Sequence, residues 1–456
     1  MKVTVSKSEV KGKVRVPPSK SQTIRGLMCA ALTSGESELV DPLVCEDTGA
    51  AVDVLSKVGI QVQREDGLWR VIGKTFRAPS ADLFCGESAT TLRFMTAICS
   101  LVPGTCRLVG GPSLSKRPVK SLIEAMKKLK VKCSMEGKTT PPVTVEGGTL
   151  KGGKTELPGN ISSQFISALL MVAPLAENEV SIRLNTPMTS KPYVLMTLRC
   201  LRKFGVNVKT EFDKFVVARQ RYKPTRFEVE GDWSSASYFL ALGAVCGEIE
   251  VENLSTSSLQ GDRVALDFLR SMGAKVKIVR DSVTVSQAKL EAINADLSDC
   301  IDLLPTMAVL AAVANGTSEF TGIERARIKE SNRVAAVREG LAKIDGVTVT
   351  EDRDRLTIRG LMTQKPAAEE KEKEAEEGQA ADEAVPEPEA VVIDSKNDHR
   401  IAMAFGVLGA AIGGTTINGT TIGSITIDGA ECVAKTFPNF WDLLKSVGGE
   451  LEIDGE

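Results

Sequence analysis

Hydrophobic and polar positions follow one arrangement that recurs six times along the chain. A polar or charged loop opens an Ala/Leu-rich helical run, a Gly or Asn turn follows, and a short β-type run closes the unit. Ser19-Lys20-Ser21 precedes Leu27-Met28-Cys29-Ala30-Ala31-Leu32, and Gly86-Glu87-Ser88 precedes Leu92-Arg93-Phe94-Met95. Asn160-Ile161-Ser162-Ser163-Gln164 precedes Ala168-Leu169-Leu170-Met171, and Gly231-Asp232-Trp233-Ser234 precedes Tyr238-Phe239-Leu240-Ala241. Asp299-Cys300-Ile301-Asp302 precedes Met307-Ala308-Val309-Leu310, and Asn397-Asp398-His399-Arg400 precedes Ala402-Met403-Ala404-Phe405. A second helical run ends at a Gly and passes into a strand in several units. Val58-Gly59-Ile60, Phe204-Gly205-Val206, Met272-Gly273-Ala274 and Val447-Gly448-Gly449 mark its end, as expected of a C′ glycine.

The unit starts lie about 70 residues apart, except the last interval of about 98. That interval returns to about 70 once an acidic stretch at 364–391 is set aside. The chain therefore reads as six repeats of strand and helix with one insertion, a mixed α/β fold. The insertion is rich in Glu, Lys, Ala and Pro and has no aromatic residue. A segment of that composition buries too little surface to order, so a disordered acidic loop is expected there.

Composition narrows the class. A chain of 456 residues exceeds one ordinary core and predicts at least two domains. No apolar run reaches the roughly 18 residues of a membrane span. Met1-Lys2-Val3-Thr4-Val5 reads as a strand with no signal-peptide core, so a cytoplasmic location and no membrane partner are expected. The ten cysteines show no CxxC pair, and several sit within apolar helical runs, as small hydrophobes in a reducing compartment do. The single histidine, His399, argues against a His-rich metal site or a Ser-His-Asp triad. The net charge of −2 conceals a basic remainder, because the insertion alone contributes ten acidic against three basic side chains. A mild basic excess without interleaved aromatics suits small anionic substrates and not nucleic acid.

Chemistry concentrates where the helices open. Lys20, Ser21, Arg25, Arg93, Ser162, Ser163, Gln164 and Arg400 stand at or just after predicted helix starts. Free N–H groups and the positive end of the dipole favour anions there, and the cations add to that preference. Basic linkers add Lys116-Arg117-Pro118, Ser190-Lys191-Pro192-Tyr193, Lys329-Glu330-Ser331-Asn332-Arg333 and Lys435-Thr436-Phe437-Pro438. Two carboxylates, Asp302 and Glu330, stand inside this basic set. Neighbouring cations hold a carboxylate ionised and oriented, and such a group exchanges protons with a hydroxyl. Taken singly, each Arg, like Asp302 and Glu330, reads first as a helix cap or an ion-pair member, and it is their recurrence at equivalent places that points to a site.

Five segments in order resemble the signatures of the 5-enolpyruvylshikimate-3-phosphate synthase family. They are Pro18-Ser19-Lys20-Ser21 with Arg25, Ser190-Lys191-Pro192-Tyr193, Ile328-Lys329-Glu330-Ser331 with Arg333, Asn397-Asp398-His399-Arg400, and Lys435-Thr436-Phe437-Pro438. The resemblance implies two domains, each of three βαβαββ units in an enolpyruvyl transferase-like inverse α/β barrel, hinged across a cleft. They would span 16–228, and 1–15 plus 229–456. It implies transfer of the enolpyruvyl group of phosphoenolpyruvate to the 5-hydroxyl of shikimate 3-phosphate with release of phosphate. No metal or organic cofactor is implied, and a monomer is expected.

Carried over by position, the resemblance assigns Lys20 to both substrates and to catalysis. It assigns Ser21, Arg25, Ser162, Ser163, Gln164, Ser190, Tyr193, Asp302 and Lys329 to shikimate 3-phosphate, with Arg25 at its carboxylate. Ala89, Arg117, Gln164, Arg333, Arg400 and Lys435 would hold phosphoenolpyruvate. Asp302 would take the 5-hydroxyl proton, and Glu330 would protonate the methylene carbon. Several positions depart from the family pattern. Glu87 stands where Asn is usual, which suggests pairing with a nearby cation. Ala89 stands where Gly is usual, which implies tolerance of glyphosate, a longer mimic of phosphoenolpyruvate. Arg325 replaces a frequent Asn, and Asn332 a frequent Asp, which removes one ion pair beside Arg333. The related enzyme acting on UDP-N-acetylglucosamine normally has Lys-Asn in place of Lys20-Ser21. It also carries a Cys in the loop that here reads Gly110-Gly111-Pro112-Ser113-Leu114-Ser115-Lys116. A non-catalytic repeat scaffold is the remaining alternative, and the joint presence of Lys20, Asp302, Glu330 and Arg333 speaks against it.

Overall fold

The computed structural model describes residues 1–363 and 389–454. The expected acidic loop therefore lies almost wholly outside the described residues, and the strand Val391–Asp394 begins at its last position. Among the described residues the strands form six four-stranded sheets and one two-stranded ribbon. Each four-stranded sheet has one parallel and two antiparallel pairings. In the second unit Leu83–Phe84 runs parallel to Gly104–Val109, which pairs antiparallel with Val143–Gly147, itself antiparallel to Lys132–Met135. The helices Ala89–Ile98 and Lys120–Lys128 make the two crossings, giving a βαβαββ unit.

The first helix of each unit is the inner one. Trp233–Cys246 and His399–Ile412 are buried on nearly all sides, which explains their lack of a polar face. The second helices lie outside and end in left-handed turns at Gly59, Gly205, Gly273 and Gly448. The second unit makes the same turn at Lys130, with φ of 67°. The buried apolar residues form two separate cores, one from Ile24 to Val229 and one joining Val3–Val16 to Trp233–Val447. All ten cysteines are free thiols, and all but Cys133 are buried.

The chain passes between the two lobes twice, and strand exchange fixes where. The N-terminal strand Lys2–Ser6 lies between Ile425–Asp428 and Glu450–Asp454, completing the sixth sheet. Val10–Arg15 completes the fourth sheet beside Gly247–Glu252. Arg226–Glu228 returns to pair with Gly35–Val40 and completes the first. The two crossing segments also bind each other. Ser19 N donates to Glu230 O at 2.8 Å, and Asp232 N donates to Pro17 O at 2.9 Å. Glu230 is held in turn by Gln22 and by the Ser258 hydroxyl at 2.7 Å. No helix among the described residues is long and apolar enough to cross a membrane.

Candidate active site

Helix N-termini from both lobes meet at the junction of the lobes. Residues from the starts of Lys20–Ala31, Ala89–Ile98, Ser163–Val172, Lys191–Lys203 and His399–Ile412 line one cavity of about 100 Å³. Asp302 and the segment 325–333 form its opposite wall. Most sequence-expected residues meet there: Lys20, Ser21, Ala89, Arg117, Ser162, Ser163, Gln164, Ser190, Tyr193, Asp302, Lys329, Glu330, Arg333 and Arg400.

Arg333 organises the second lobe's side. Its guanidinium is 1% exposed and donates to Asp302 Oδ1 at 2.6 Å, to Asp398 Oδ2 at 2.8 Å and to Glu330 Oε2. Lys329 Nζ lies 3.2 Å from Asp302 Oδ1, and Arg400 lies 3.6 Å from Asp302 Oδ2. Burial alone pushes the Asp302 carboxyl upward, but Lys329, Arg400 and Arg333 outweigh it and hold the group well below the usual carboxylate range. Glu330 behaves likewise: burial opposes ionisation, and Arg117 and Arg333 overcome it. Asn332 does not leave Arg333 short of partners. Its side chain instead caps the helix Arg333–Leu341 by accepting from Ala335 N at 3.2 Å.

The first lobe presents cations and hydroxyls. Lys20 Nζ donates to Asp47 Oδ2 at 2.7 Å. Burial lowers the pKa of Lys20, but the fields of Asp47 and Glu330 raise it overall. Ser162 accepts from Gln164 N at 3.3 Å and so caps the helix Ser163–Val172. Arg93 Nη1 reaches Gln164 Oε1 at 2.7 Å, and burial lowers its pKa to about 9. Arg117 Nη2 lies 3.0 Å from Glu330 Oε2 of the other lobe, yet its Nε and Nη2 are buried without a hydrogen bond. Further contacts close the lobes: Tyr193 OH donates to Asp302 Oδ2 at 3.2 Å, and Ser113 Oγ donates to Glu330 O at 2.9 Å.

Two expected residues stand outside the cavity. Arg25 is 1% exposed and spends its donors on protein, with Nε to Thr197 Oγ1 at 2.8 Å, Nη1 to Ser21 O at 2.9 Å and Nη2 to Tyr193 O at 3.2 Å. It stacks against Phe94 and supports Tyr193 from behind. Lys435 Nζ donates to Asn397 O at 2.6 Å and Asn397 Oδ1 at 2.8 Å, so it braces the loop before Asp398. Glu87 corrects another expectation. Its carboxylate accepts backbone N–H groups of Ser113 at 3.3 Å and Leu114 at 2.8 Å instead of pairing with a cation. It thereby fixes the turn that carries Arg117. A Cβ at Gly111 would stand 2.3 Å from Glu87 Oε1, so a larger residue there would displace the Glu87 carboxylate.

Sequence reasoning missed Asp47, His399 and Asp398 as site members. Glu46-Asp47 reads as an ordinary acidic first turn. Asp398 reads as an N-cap, which it also is, accepting from Arg400 N at 3.0 Å. His399 is 2% exposed, lines the cavity and has both ring nitrogens without a hydrogen bond. Burial, aided by Lys20 and Arg400, pushes its pKa well below the ordinary value, so it is neutral at pH 7. Among the described residues no cluster of three His, Cys, Asp or Glu side chains is placed to hold a metal ion.

Cations converge here from five chain segments around two ionised carboxylates, an arrangement suited to anionic ligands. A sequence profile described as EPSP synthase (3-phosphoshikimate 1-carboxyvinyltransferase) matches residues 5–444. The chain is 44% identical to a 3-phosphoshikimate 1-carboxyvinyltransferase of Dehalococcoides mccartyi over 455 residues, covering 99% of both chains. It is 36% identical to the protein of that name from Methanocaldococcus jannaschii over 451 residues, covering 97% of each. Its fold superposes on the EPSP synthase of Acinetobacter baumannii with a TM-score of 0.77, at 28% identity and 99% coverage of both chains. The fold is also that of the Streptomyces tendae enolpyruvyl transferase NikO, with a TM-score of 0.73 at 14% identity and 99% and 98% coverage. The chain belongs to the EPSP synthase (3-phosphoshikimate 1-carboxyvinyltransferase) family.

Proposed function

We propose that this chain joins phosphoenolpyruvate to the 5-hydroxyl of shikimate 3-phosphate, releasing phosphate, in the biosynthesis of chorismate and the aromatic amino acids. The observation that carries this reading is the meeting of Asp302 and Glu330 on one buried Arg333, with Glu330 also 3.0 Å from Arg117 of the other lobe. The reading treats the two lobes as domains, 16–228 and 1–15 plus 229–456, that part to admit substrates. About 100 Å³ is below the several hundred usual for a small-molecule site, and direct bonds cross it, so opening must precede binding.

The chemistry follows from charge. Both substrates are polyanions, and the cations offset their repulsion while closure excludes water. Asp302, held ionised, takes the proton of the 5-hydroxyl as its oxygen attacks C2 of phosphoenolpyruvate. Glu330 delivers a proton to C3, producing a tetrahedral adduct. Glu330 then removes a proton from C3 as the C2–O bond to phosphate breaks, and the Asp302 proton leaves with the phosphate. Glu330 must be protonated for its first step, whereas Arg117 and Arg333 hold it ionised. A phosphoenolpyruvate carboxylate or phosphate engaging Arg117 weakens that hold and lets Glu330 take up a proton. Ser162, Ser163, Ser190 and Tyr193 receive shikimate 3-phosphate. Ala89, Gln164 and Arg400 face phosphoenolpyruvate, and Arg25 and Lys435 act by support. A monomeric, cytoplasmic enzyme fits this role.

The test is phosphate release from phosphoenolpyruvate. We expect release that requires shikimate 3-phosphate and yields one enolpyruvyl ether per phosphate. Release with UDP-N-acetylglucosamine in its place, or none with either acceptor, would overturn the reading.

A further inference from the structure

Two of the free thiols touch across neighbouring helices, and the proposed reaction uses neither. Cys29 lies in Lys20–Ala31 and Cys200 in Lys191–Lys203. The Cys200 thiol donates to Cys29 Sγ at 3.6 Å, so the sulfurs face each other directly. A disulfide holds its sulfurs about 2.05 Å apart, and closing this pair takes a shift of about 1.5 Å. The two helices are already held in register. Arg25, four residues before Cys29, donates to Thr197 Oγ1 at 2.8 Å and to Tyr193 O at 3.2 Å. Thr197 stands three residues before Cys200. Positions three and four apart share a helix face, so the thiols continue the same seam by one turn.

The two sulfurs differ in access. Cys200 is 3% exposed and lines a second cavity, of about 330 Å³, on the far side of Arg25 from Thr197 and Tyr193. The exposed residues Arg199 and Lys203 form part of its wall, so the cavity reaches the surface. It has ample room for a molecule the size of water or hydrogen peroxide. Cys29 is fully buried behind Cys200. Burial holds the Cys29 thiol well above its ordinary pKa, the contact with Cys200 adds to this, and Arg25 opposes it. Cys200 is therefore the thiol that an oxidant meets first, and Cys29 the one placed to resolve the product. Cys99 and Cys106 also interact, but both are fully buried.

We propose that Cys29 and Cys200 are a reversible dithiol–disulfide site, oxidised by hydrogen peroxide that enters through the cavity beside Cys200. The Cys200 thiolate attacks one peroxide oxygen, the O–O bond breaks, and the hydroxide released takes up the Cys200 proton as water. The Cys200 sulfenic acid is then attacked by the Cys29 sulfur. The S–S bond forms, the S–O bond breaks, and the departing hydroxide takes the Cys29 proton as a second water. The two thiols lose two electrons, and the peroxide gains them. A dithiol reductant reverses the step by thiol–disulfide exchange. The link ties together the two helices whose first turns carry Lys20, Ser21 and Tyr193 to the active-site cavity.

The test treats the reduced, folded full chain with hydrogen peroxide, blocks the remaining thiols by alkylation, and maps the digest by mass spectrometry without reductant. We expect a peptide containing Cys29 joined to one containing Cys200, two hydrogen atoms lighter than the separate pair, and its release by dithiothreitol. In Cys29→Ala the sulfenic acid should persist on Cys200 and be trapped by dimedone. In Cys200→Ala, Cys29 should remain a thiol under the same treatment. Recovery of Cys29 and Cys200 as alkylated thiols from the treated native chain would overturn the proposal. So would their linkage only in urea-unfolded protein, or a Cys99–Cys106 link that forms first. Dimedone capture of Cys29 in Cys200→Ala, as fast as that of Cys200 in Cys29→Ala, would overturn the assigned order of attack. None of these readouts depends on turnover, so they stand or fall separately from the proposed function.

Discussion

The two lobes share one repeated unit yet bring different chemistry to the cavity. The first supplies Lys20, Arg93, Arg117 and the hydroxyls of Ser162, Ser163 and Ser190, and its lining carboxylate Asp47 is neutralised by Lys20. The second supplies Asp302 and Glu330, fixed by Arg333 and backed by Asp398, which is fully buried. An anion meets cations from both lobes, and the second lobe alone adds the carboxylates that move protons in the proposed reaction. The difference teaches that neither lobe is a catalyst alone. Glu330 meets Arg117, and Asp302 meets Tyr193, only where the lobes touch.

The sharpest way to break this contrast is to remove a second-lobe carboxylate. Asp302→Asn or Glu330→Gln should lower kcat by about 10²–10⁴-fold, the usual scale for general acid–base groups. Steady-state phosphate release measures it, and near-native turnover would remove that residue from the mechanism. Next in size is Arg333→Ala, which strands a fully buried Asp398 carboxylate and unties Asp302 and Glu330. Breaking a buried ion pair costs about 3–5 kcal/mol, so urea unfolding should show a loss of that order. A first-lobe variant of the same kind, Arg93→Ala, strands no carboxylate and should cost much less.

Ala89 tests the first lobe's shape. It is 5% exposed and lines the cavity at the start of its helix. A methyl group there should oppose an inhibitor longer than phosphoenolpyruvate by about 1–3 kcal/mol. Ala89→Gly should therefore bind glyphosate about 10- to 100-fold more tightly. Equal inhibition constants at matched phosphoenolpyruvate saturation would contradict this.

The smallest expected effect is a pH dependence in the second lobe. Burial, reinforced by Asp302, raises Asp262 to about 7. Between an ordinary Asp value near 4 and that value, the folded state keeps a proton the unfolded chain has released, so stability falls as pH rises across that window. Asp262→Asn should remove the fall, and Tm measured at pH 5 and pH 8 should differ less than in the native chain. Asp302 and Glu330 have the opposite sign. Their depressed values contribute stability above the ordinary carboxylate range that is lost as pH falls through and below it.

Much of this was legible in the chain. Loops opening onto Ala/Leu runs located all six inner helices, because buried helices need a continuous apolar surface. The outer helix Lys120–Lys128 escaped the pattern, since its left-handed stop is Lys130 and not Gly. The exchanged strands Lys2–Ser6 and Arg226–Glu228 find partners hundreds of residues away, which no local period reveals. The expected cations at helix starts line the cavity, apart from Arg25, whose side chain turns inward toward Thr197 and Tyr193. Periodicity places Arg25 beside Ile24 and Leu27 on a buried stretch, and that was the available signal.

The division of labour between the lobes is tested most directly by the Kd for shikimate 3-phosphate, measured without phosphoenolpyruvate on Ser163→Ala and Asp302→Asn. The account predicts about 10-fold or greater weakening for Ser163→Ala, which loses a hydrogen bond to a charged group. It predicts native-like or tighter binding for Asp302→Asn, which loses a negative charge beside an anion. Weak binding by Asp302→Asn with native binding by Ser163→Ala would contradict it.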